Sequence, residues 1–253
     1  MVKKAVMVLL AVLVCTKAYA AHPLITDDTG TQGRGKTQLE FLVEYEHDKE
    51  DGVTTNSLTG PTLPVLTHGL TDSVDLVLGV SYLSVRTKEN GDVSREKGIS
   101  DTSVEVKWRF YEKDGLSFAL KPGVTLPTGD DDKGLGAGRV TYGLFLIGTK
   151  ELKPWAFHLN TGYRRNENKV DERKDVWHAS LAAELEVVKD LRAVANIGME
   201  RNHDRASHVD PAFLLGGFIY SLSESVDLDV GIKGGLNRPE ADYTLLTGVT
   251  VRF

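Results

Sequence analysis

The last eleven residues, Tyr243 to Phe253, read YTLLTGVTVRF. Tyr243, Leu245, Thr247, Val249, Val251 and Phe253 fall on one face of a strand, because successive side chains of an extended chain point to opposite sides. Thr244, Leu246, Gly248, Thr250 and Arg252 fall on the other. A strand that runs to the very end of a chain must find a partner or leave a raw edge of unpaired N–H and C=O groups. Chain ends usually fray, so this regular ending predicts that the last strand is locked into a larger sheet.

The same pattern recurs upstream, as segments of about ten residues alternating apolar and polar and separated by turn residues. The first is QLEFLVEYEHD (38–48), with Leu39, Phe41, Val43 and Tyr45 opposite Glu40, Glu44 and Glu46. SVDLVLGVSYL (73–83) and DTSVEVKWRFY (101–111) follow, and the second sets Val104, Val106, Trp108 and Phe110 against Ser103, Glu105, Lys107 and Arg109. Seven more run between 116 and 235, and SLTGPTLPVLT (57–67) is weakened by its glycine and prolines. With the terminal strand, this gives twelve.

Connections alternate in length. HGLTDS, EKDG, KELK, VKD and SES are short, whereas 48–57, 86–100, 127–138, 166–174, 202–210 and 237–242 are longer and polar. Tight turns at one end and long loops at the other predict an all-β fold, a transmembrane antiparallel up-and-down barrel of about twelve strands. Tyr45, Tyr82, Trp108, Phe118, Tyr142, Trp155, Tyr163, Trp177, Tyr220, Tyr243 and Phe253 sit near strand ends on the apolar face, as the aromatic girdles of a lipid-facing wall do. A soluble sandwich is the alternative, since its outer faces also carry charge. In a barrel the last strand closes on the first, both ends lie on the short-turn, periplasmic side, and Tyr243 and Phe253 become an assembly signal for the barrel-insertion machinery.

The N-terminus is consistent with that destination. MVKK, the apolar run AVMVLLAVLVC and the small residues Ala18 and Ala20 form a secretory signal peptide over 1–20, cut after Ala20 or Ala21. The apolar run is about half of the ~20 residues a membrane-spanning helix needs. Cys15 lies within it, so the mature chain has no cysteine chemistry. Removing 1–20 changes 30 basic against 36 acidic residues to 27 against 36, a net charge of −9. That balance excludes nucleic acid as an expected partner.

The chain resembles the outer-membrane family named for the MetA pathway of phenol degradation. The stretches that carry the resemblance are HPLITDDTGTQGRGKTQLE, ISDTSVEVKWRFY, KPGVTLPTGDDDKGLGAG and the aromatic terminus. Ser100 departs from it, because a glycine often precedes the Asp-Thr pair in the family. The resemblance implies a barrel that transports small, aromatic or hydrophobic compounds.

Function is expected on the lumen face, at Glu44, Glu46, Asp75, Glu105, Lys107, Arg109, Lys121, His158, Arg164, Glu184, Glu186, Arg192, Asn196, Asp227, Asp229, Lys233 and Arg252. Such charges must pair across strands in a narrow barrel. They either build a closed, salt-bridged interior or line a passage and set its selectivity. His178 and Ser180, two apart on one strand, invite a hydrolase reading, but the register turns them to the lumen, away from phospholipid. GLGAG (134–138) follows an acidic loop and precedes a strand, which is the wrong context for a nucleotide loop and reads as a flexible external loop. Asp130, Asp131 and Asp132 lack the spacing of a calcium loop, and His203 and His208 lack a third zinc ligand. No catalytic residue, metal or cofactor is expected.

Residues 21–35 remain, an apolar start, an acidic middle and a glycine-rich end before the barrel of 36–253. This segment either hangs in the periplasm as a tail or folds back into the lumen as a plug. In the plug, Asp27 and Asp28 would meet basic groups such as Arg109 or Arg192, with Leu24 and Ile25 near the periplasmic mouth. The reading is therefore a monomeric channel of the Gram-negative outer membrane for passive passage of small solutes. Its partners are membrane lipid, lipopolysaccharide, the assembly machinery and the solute. A closed structural or adhesive barrel acting through its loops is the alternative, and a barrel hydrolase a third reading.

Overall fold

The computed structural model describes residues 22–50, 52–61, 64–89 and 91–253. The expected signal peptide, with Cys15, Ala18 and Ala20, lies outside them.

The chain forms fifteen strand segments: β1 Thr37–Glu50, β2 Val53–Pro61, β3 Val65–Gly69, β4 Val74–Gly79, β5 Ser81–Glu89, β6 Asp92–Ile99, β7 Thr102–Lys113, β8 Leu116–Leu126, β9 Thr141–Leu152, β10 Trp155–Arg165, β11 Asp175–Val188, β12 Leu191–Glu200, β13 Ala212–Ser223, β14 Val226–Gly235 and β15 Tyr243–Arg252. All pair antiparallel. β2 with β3, β4 with β5 and β6 with β7 each make one interrupted wall strand, so the barrel has twelve. The breaks fall side by side. On the short-turn side β1 pairs with β3, β3 with β4 and β4 with β7; on the long-loop side β1 pairs with β2, β2 with β5 and β5 with β6.

Closure is between β15 and β1, in continuous register from Gln38↔Arg252 to His47↔Tyr243. Beyond it Thr37 N–H donates to the Phe253 carbonyl (2.8 Å) and Phe253 N–H to the Thr37 carbonyl (3.0 Å). The terminal alternation therefore seals the sheet.

Side chains alternate as a barrel wall requires. On β15, Thr244, Leu246 and Thr250 are buried inward, while Leu245 and Val249 are exposed outward. Trp108, Phe110 and Phe118 form a connected aromatic cluster on the outer surface near the short turns, and Trp155 stacks on Phe157 beside it. Tyr45 and Tyr243 meet near the opposite rim.

Two of the long loops expected from sequence are strand instead. β1 runs to Glu50 and β2 starts at Val53, and the span 86–100 is mostly β5 and β6. Their polarity reflects position beyond the lipid rather than lack of structure: Thr and Val sustain backbone pairing where no apolar face is needed. β6 has no second neighbour among the described residues, and Arg95, Glu96 and Lys97 guard that edge against further pairing.

The loop 127–138 is also more ordered than its composition implied. The Asp101 carboxylate accepts from Gly129 N–H (2.9 Å) and Ala137 N–H (2.8 Å). Leu135 is buried with a methyl close to Gly98. GLGAG is thus a loop as expected, but a pinned one rather than a flexible one.

Candidate functional site: a strap across the lumen

Residues 22–32 lie inside the barrel. They cross from the β13–β15 wall to the β7–β8 wall, then leave beside the turn between β3 and β4. No strand pairs with this strap, yet its backbone groups cannot stay unsatisfied once they leave water. Side chains supply the partners. The Asn196 side-chain carbonyl accepts from the N–H groups of Ile25 (2.8 Å) and Thr26 (3.0 Å), and its amide donates to Thr26 Oγ1 (2.7 Å). Asn160 brackets Asp27 in the same way, accepting from its N–H (2.7 Å) and donating to its carbonyl (2.9 Å). Thr29 N–H donates to Thr149 Oγ1 (3.1 Å), and Gln32 N–H to the Asp75 carboxylate (3.0 Å). Two inward amides and a carboxylate do the work of a neighbouring strand.

The strap's ends are fitted as closely. His22 bonds directly to Asp229. Pro23 lies against β13 and β14 where Gly217 and Gly231 face it. A Cβ at Gly231 would come within 2.9 Å of the proline ring, and one at Gly217 within 3.1 Å. At the exit, a Cβ on Gly69 would sit 1.9 Å from the Gly33 carbonyl oxygen.

The acidic middle is the electrostatic anchor. Lys107 and Lys121 both donate to the Asp27 carboxylate, at 2.8 and 3.1 Å, and Lys121 also reaches Glu105 at 3.1 Å. The Asp28 carbonyl accepts from Lys107, and its carboxylate caps Gly30 N–H. The expected partners Arg109 and Arg192 are both placed elsewhere. Arg109 lies at the short-turn rim, bound to Glu112 and the Asp72 carbonyl. Arg192 is in a separate ion-pair chain running from His158 through Glu184, Arg192 and Asp227 to Arg252. Asp27 meets lysines because the strap crosses at mid-height, where Lys107 and Lys121 point inward, and not at the mouth. For the same reason Leu24 is not at the mouth: it is buried among Ala182, Val194, Phe213, Leu215 and Leu246. Ile25 remains exposed.

That apolar cluster is the feature sequence reading missed. The lumen candidates named from sequence were all polar, yet Ile147, Leu215 and Ile219 are fully buried inside. In AFLLGGFIYSL both faces are apolar, so alternation carries no signal there. The inward glycine and large apolar residues on one strand were the only clue.

The remaining candidates fall as follows. Lys233 pairs with Glu240 near the long loops, and Arg164 with Glu200 (3.1 Å). Glu44 and Glu46 line β1, and Glu186 is exposed beside a register shift. His178 and Ser180 face the lumen as expected, with His178 Nε2 2.9 Å from Ser180 Oγ and Nδ1 3.5 Å from Glu200. Ser180 Oγ is already taken by the strap, accepting from Thr26 Oγ1 at 2.7 Å. His203 holds two loops together through Glu172 and Glu200.

Comparison with known proteins agrees with this geometry. A family model described as "Putative MetA-pathway of phenol degradation" matches residues 24–253. The chain belongs to this family. The match takes in the strap as well as the barrel. Among solved structures, the chain is similar to the COG4313 outer membrane channel from Pseudomonas putida F1, at 16% identity and a TM-score of 0.69, over 89% of this chain and 98% of that one. It is also similar to the NanC porin (11% identity, TM-score 0.55, 84% and 98% covered). The translocator domain of the autotransporter NalP from Neisseria meningitidis gives 11% and 0.55, with 87% and 89% covered. Likeness at this identity fixes the fold, a closed outer-membrane barrel. No curated protein matches the chain.

Proposed function

We propose that the protein is a monomeric channel of the Gram-negative outer membrane for small solutes, with the strap as its gate. The observation that carries this reading is the strap's mode of attachment. It is held in a closed barrel by side-chain hydrogen bonds, one shared ion-pair cluster and the packing of Pro23 and Leu24, and among the described residues by no backbone ladder except at its exit. The hydrogen bonds are individually worth about 1 kcal/mol and none belongs to the wall's own ladder, so the strap can leave while the wall stays intact. The short turns and both barrel ends would face the periplasm, with Tyr243 and Phe253 read by the assembly machinery and the long loops meeting lipopolysaccharide. Passage of small aromatic or hydrophobic solutes is supported by the family's description and by the apolar side chains inside the lumen, Phe145 and Phe213 among them.

A closed structural barrel is favoured by one observation, the ion-pair chain from Glu184 to Arg252 packed beside the apolar cluster. Liposome swelling separates the two. Vesicles carrying the folded mature protein, verified by its heat-dependent mobility on a gel, should admit small neutral solutes faster than empty ones. Swelling at the rate of empty vesicles would leave the structural reading.

A further inference from the structure

Toward the long loops the wall is made of upper β1 with β2, β5 and β6, and these strands sort their charge by face. Directly paired residues of antiparallel strands point to the same side. Across β2 the register carries the face of Tyr45, His47 and Lys49 to that of Arg86 and Lys88 on β5. β6 continues it, with Arg95 directly opposite Arg86 and Lys97 opposite Ser84. Two contacts mark this face as the outer one. Tyr45 Oη donates to the Asn56 side chain (2.9 Å), and His47 stacks on Tyr243, which shares the lipid-facing side of β15 with Leu245. All five cations of the four strands, Lys49, Arg86, Lys88, Arg95 and Lys97, therefore point outward, while the carboxylates described on the same strands point inward.

Nothing on the protein neutralises this patch. All five cations are exposed, and among the described residues none is in an ion pair or donates a side-chain hydrogen bond. Arg86 and Arg95 stand directly opposite each other, so their Cβ atoms are about 4.5–5.5 Å apart, where like charges repel. Glu96 and Asp92 lie on the same hairpin but are turned to the other face and cannot relieve that repulsion. An anion between the two guanidinium groups would. Height indicates which anion. On the same face, one to two steps of about 7 Å nearer the membrane, lie Tyr82 opposite Ile99 and Tyr45 opposite Leu58. Ile99, Leu58 and Tyr45 are exposed. Tyrosines at the rim of an apolar wall sit at headgroup level, so the cations stand at and just above the headgroups.

We propose that the outward face of upper β1, β2, β5 and β6 is a phosphate-binding site for lipopolysaccharide, in which Arg86 and Arg95 together grip a lipid A phosphate and Lys88 and Lys97 flank it. The site lies on wall strands rather than loops. It does not depend on the channel reading and asks only that the barrel sits in the outer membrane. A guanidinium fork matches two phosphate oxygens at once, and two opposed forks hold one phosphate from both sides. Clustered basic side chains beside a bilayer surface attract anionic headgroups. Below them Leu58, Tyr82 and Ile99 offer the acyl chains an apolar surface.

The test is native mass spectrometry of the folded mature protein in non-ionic detergent. It is titrated with diphosphoryl lipid A, the same lipid A without phosphates, phosphatidylglycerol, and inorganic phosphate as a competitor. Wild type should retain diphosphoryl lipid A in preference to the other lipids, and inorganic phosphate at the same concentration should not displace it. Arg86→Gln combined with Arg95→Gln should weaken retention by roughly tenfold or more, because charge-assisted contacts are lost. Lys189→Gln, on the exposed short turn between β11 and β12, should leave it unchanged. Arg95→Gln alone removes the repulsion, so it should raise the melting temperature of the barrel without lipid A and reduce the further rise that lipid A gives. A variant that merely folds badly would not show that reversal. No retention of lipid A by wild type, equal retention of the phosphate-free form, or undiminished retention by the double variant would overturn the site. Phosphatidylglycerol retained as well as lipid A, or displacement by inorganic phosphate, would overturn its assignment to lipopolysaccharide.

Discussion

The carboxylate of Asp27 lies 2.8 Å from the ammonium of Lys107, and this contact joins a strap at one end of the sequence to a strand eighty residues away. Both side chains are largely out of water, and Lys121 completes a three-centre cluster. An ion pair of this kind is worth little as net stabilisation, but removing one partner strands the other. It therefore works as a latch whose loss should be felt by the strap and not by the wall.

Asp27→Asn should cost the seated strap about 3 kcal/mol, the lower end for a buried pair broken on one side. That corresponds to roughly a hundredfold shift toward the unseated state. Single-channel records should show longer or more frequent openings, with the heat-dependent gel mobility of the barrel unchanged. An unaltered open probability would show that the strap is held elsewhere.

The glycines facing Pro23 give a second route to the same state. Gly231→Leu places a side chain where a Cβ alone would already be 2.9 Å from the proline ring. Overpacking of this kind costs about 1–3 kcal/mol, and here the strap can relieve it by leaving. Cysteine accessibility at an introduced Thr26→Cys should rise in the Gly231→Leu background. Protection equal to that in the parent would mean that the wall, not the strap, adjusts.

At the other terminus, deleting Phe253 removes both backbone bonds to Thr37 as well as a largely exposed ring. Phe253→Ala keeps the bonds and removes only the ring. If the ring is an assembly signal, both variants should fall in outer-membrane abundance and leave precursor open to periplasmic proteases. Normal insertion of Phe253→Ala, with loss confined to the deletion, would assign the effect to closure of the sheet.

Outside the membrane the loops carry a pH dependence. Hydrogen bonds to Glu172 and then Glu200 raise His203 from 6.5 to about 9, and the same contact with His203 lowers Glu172. A histidine raised on folding contributes its stabilisation fully below its unfolded pKa and loses it as pH rises through the folded value. The stabilisation of the contacts joining loop 166–174 to loop 201–211 should therefore be full below pH of about 6.5, fall progressively as pH rises from there, and be gone above about 9. Limited proteolysis of these loops across that range checks it, and His203→Gln should show the high-pH pattern already at neutral pH.

How far the sequence led depends on where alternation was clean. DTSVEVKWRFY and YTLLTGVTVRF have one apolar and one polar face, so their register, the lipid side and the closing pair could be read directly. SLTGPTLPVLT counted as a strand but only weakly, because its glycine and prolines interrupt the alternation, and it supplies the end of β2 and the start of β3. Arg86 to Ser100 looked like loop because a strand beyond the lipid needs no apolar face. At the candidate site, the inward direction of Lys107, Lys121, Asp75 and Asn196 followed from strand parity. The partners of Asp27 did not, because they depend on the height at which the strap crosses. That height is set by contacts 120 to 207 residues apart in sequence, such as Thr29 with Thr149 and His22 with Asp229.

Gating of a solute path by the strap is read out by single-channel conductance of the mature protein with and without residues 22–34, at equal amounts of folded, inserted barrel. Larger or more frequent openings are expected after truncation, together with faster entry of a small aromatic solute. Identical conductance in the two proteins would contradict it and leave the inward side chains of the wall as the only barrier.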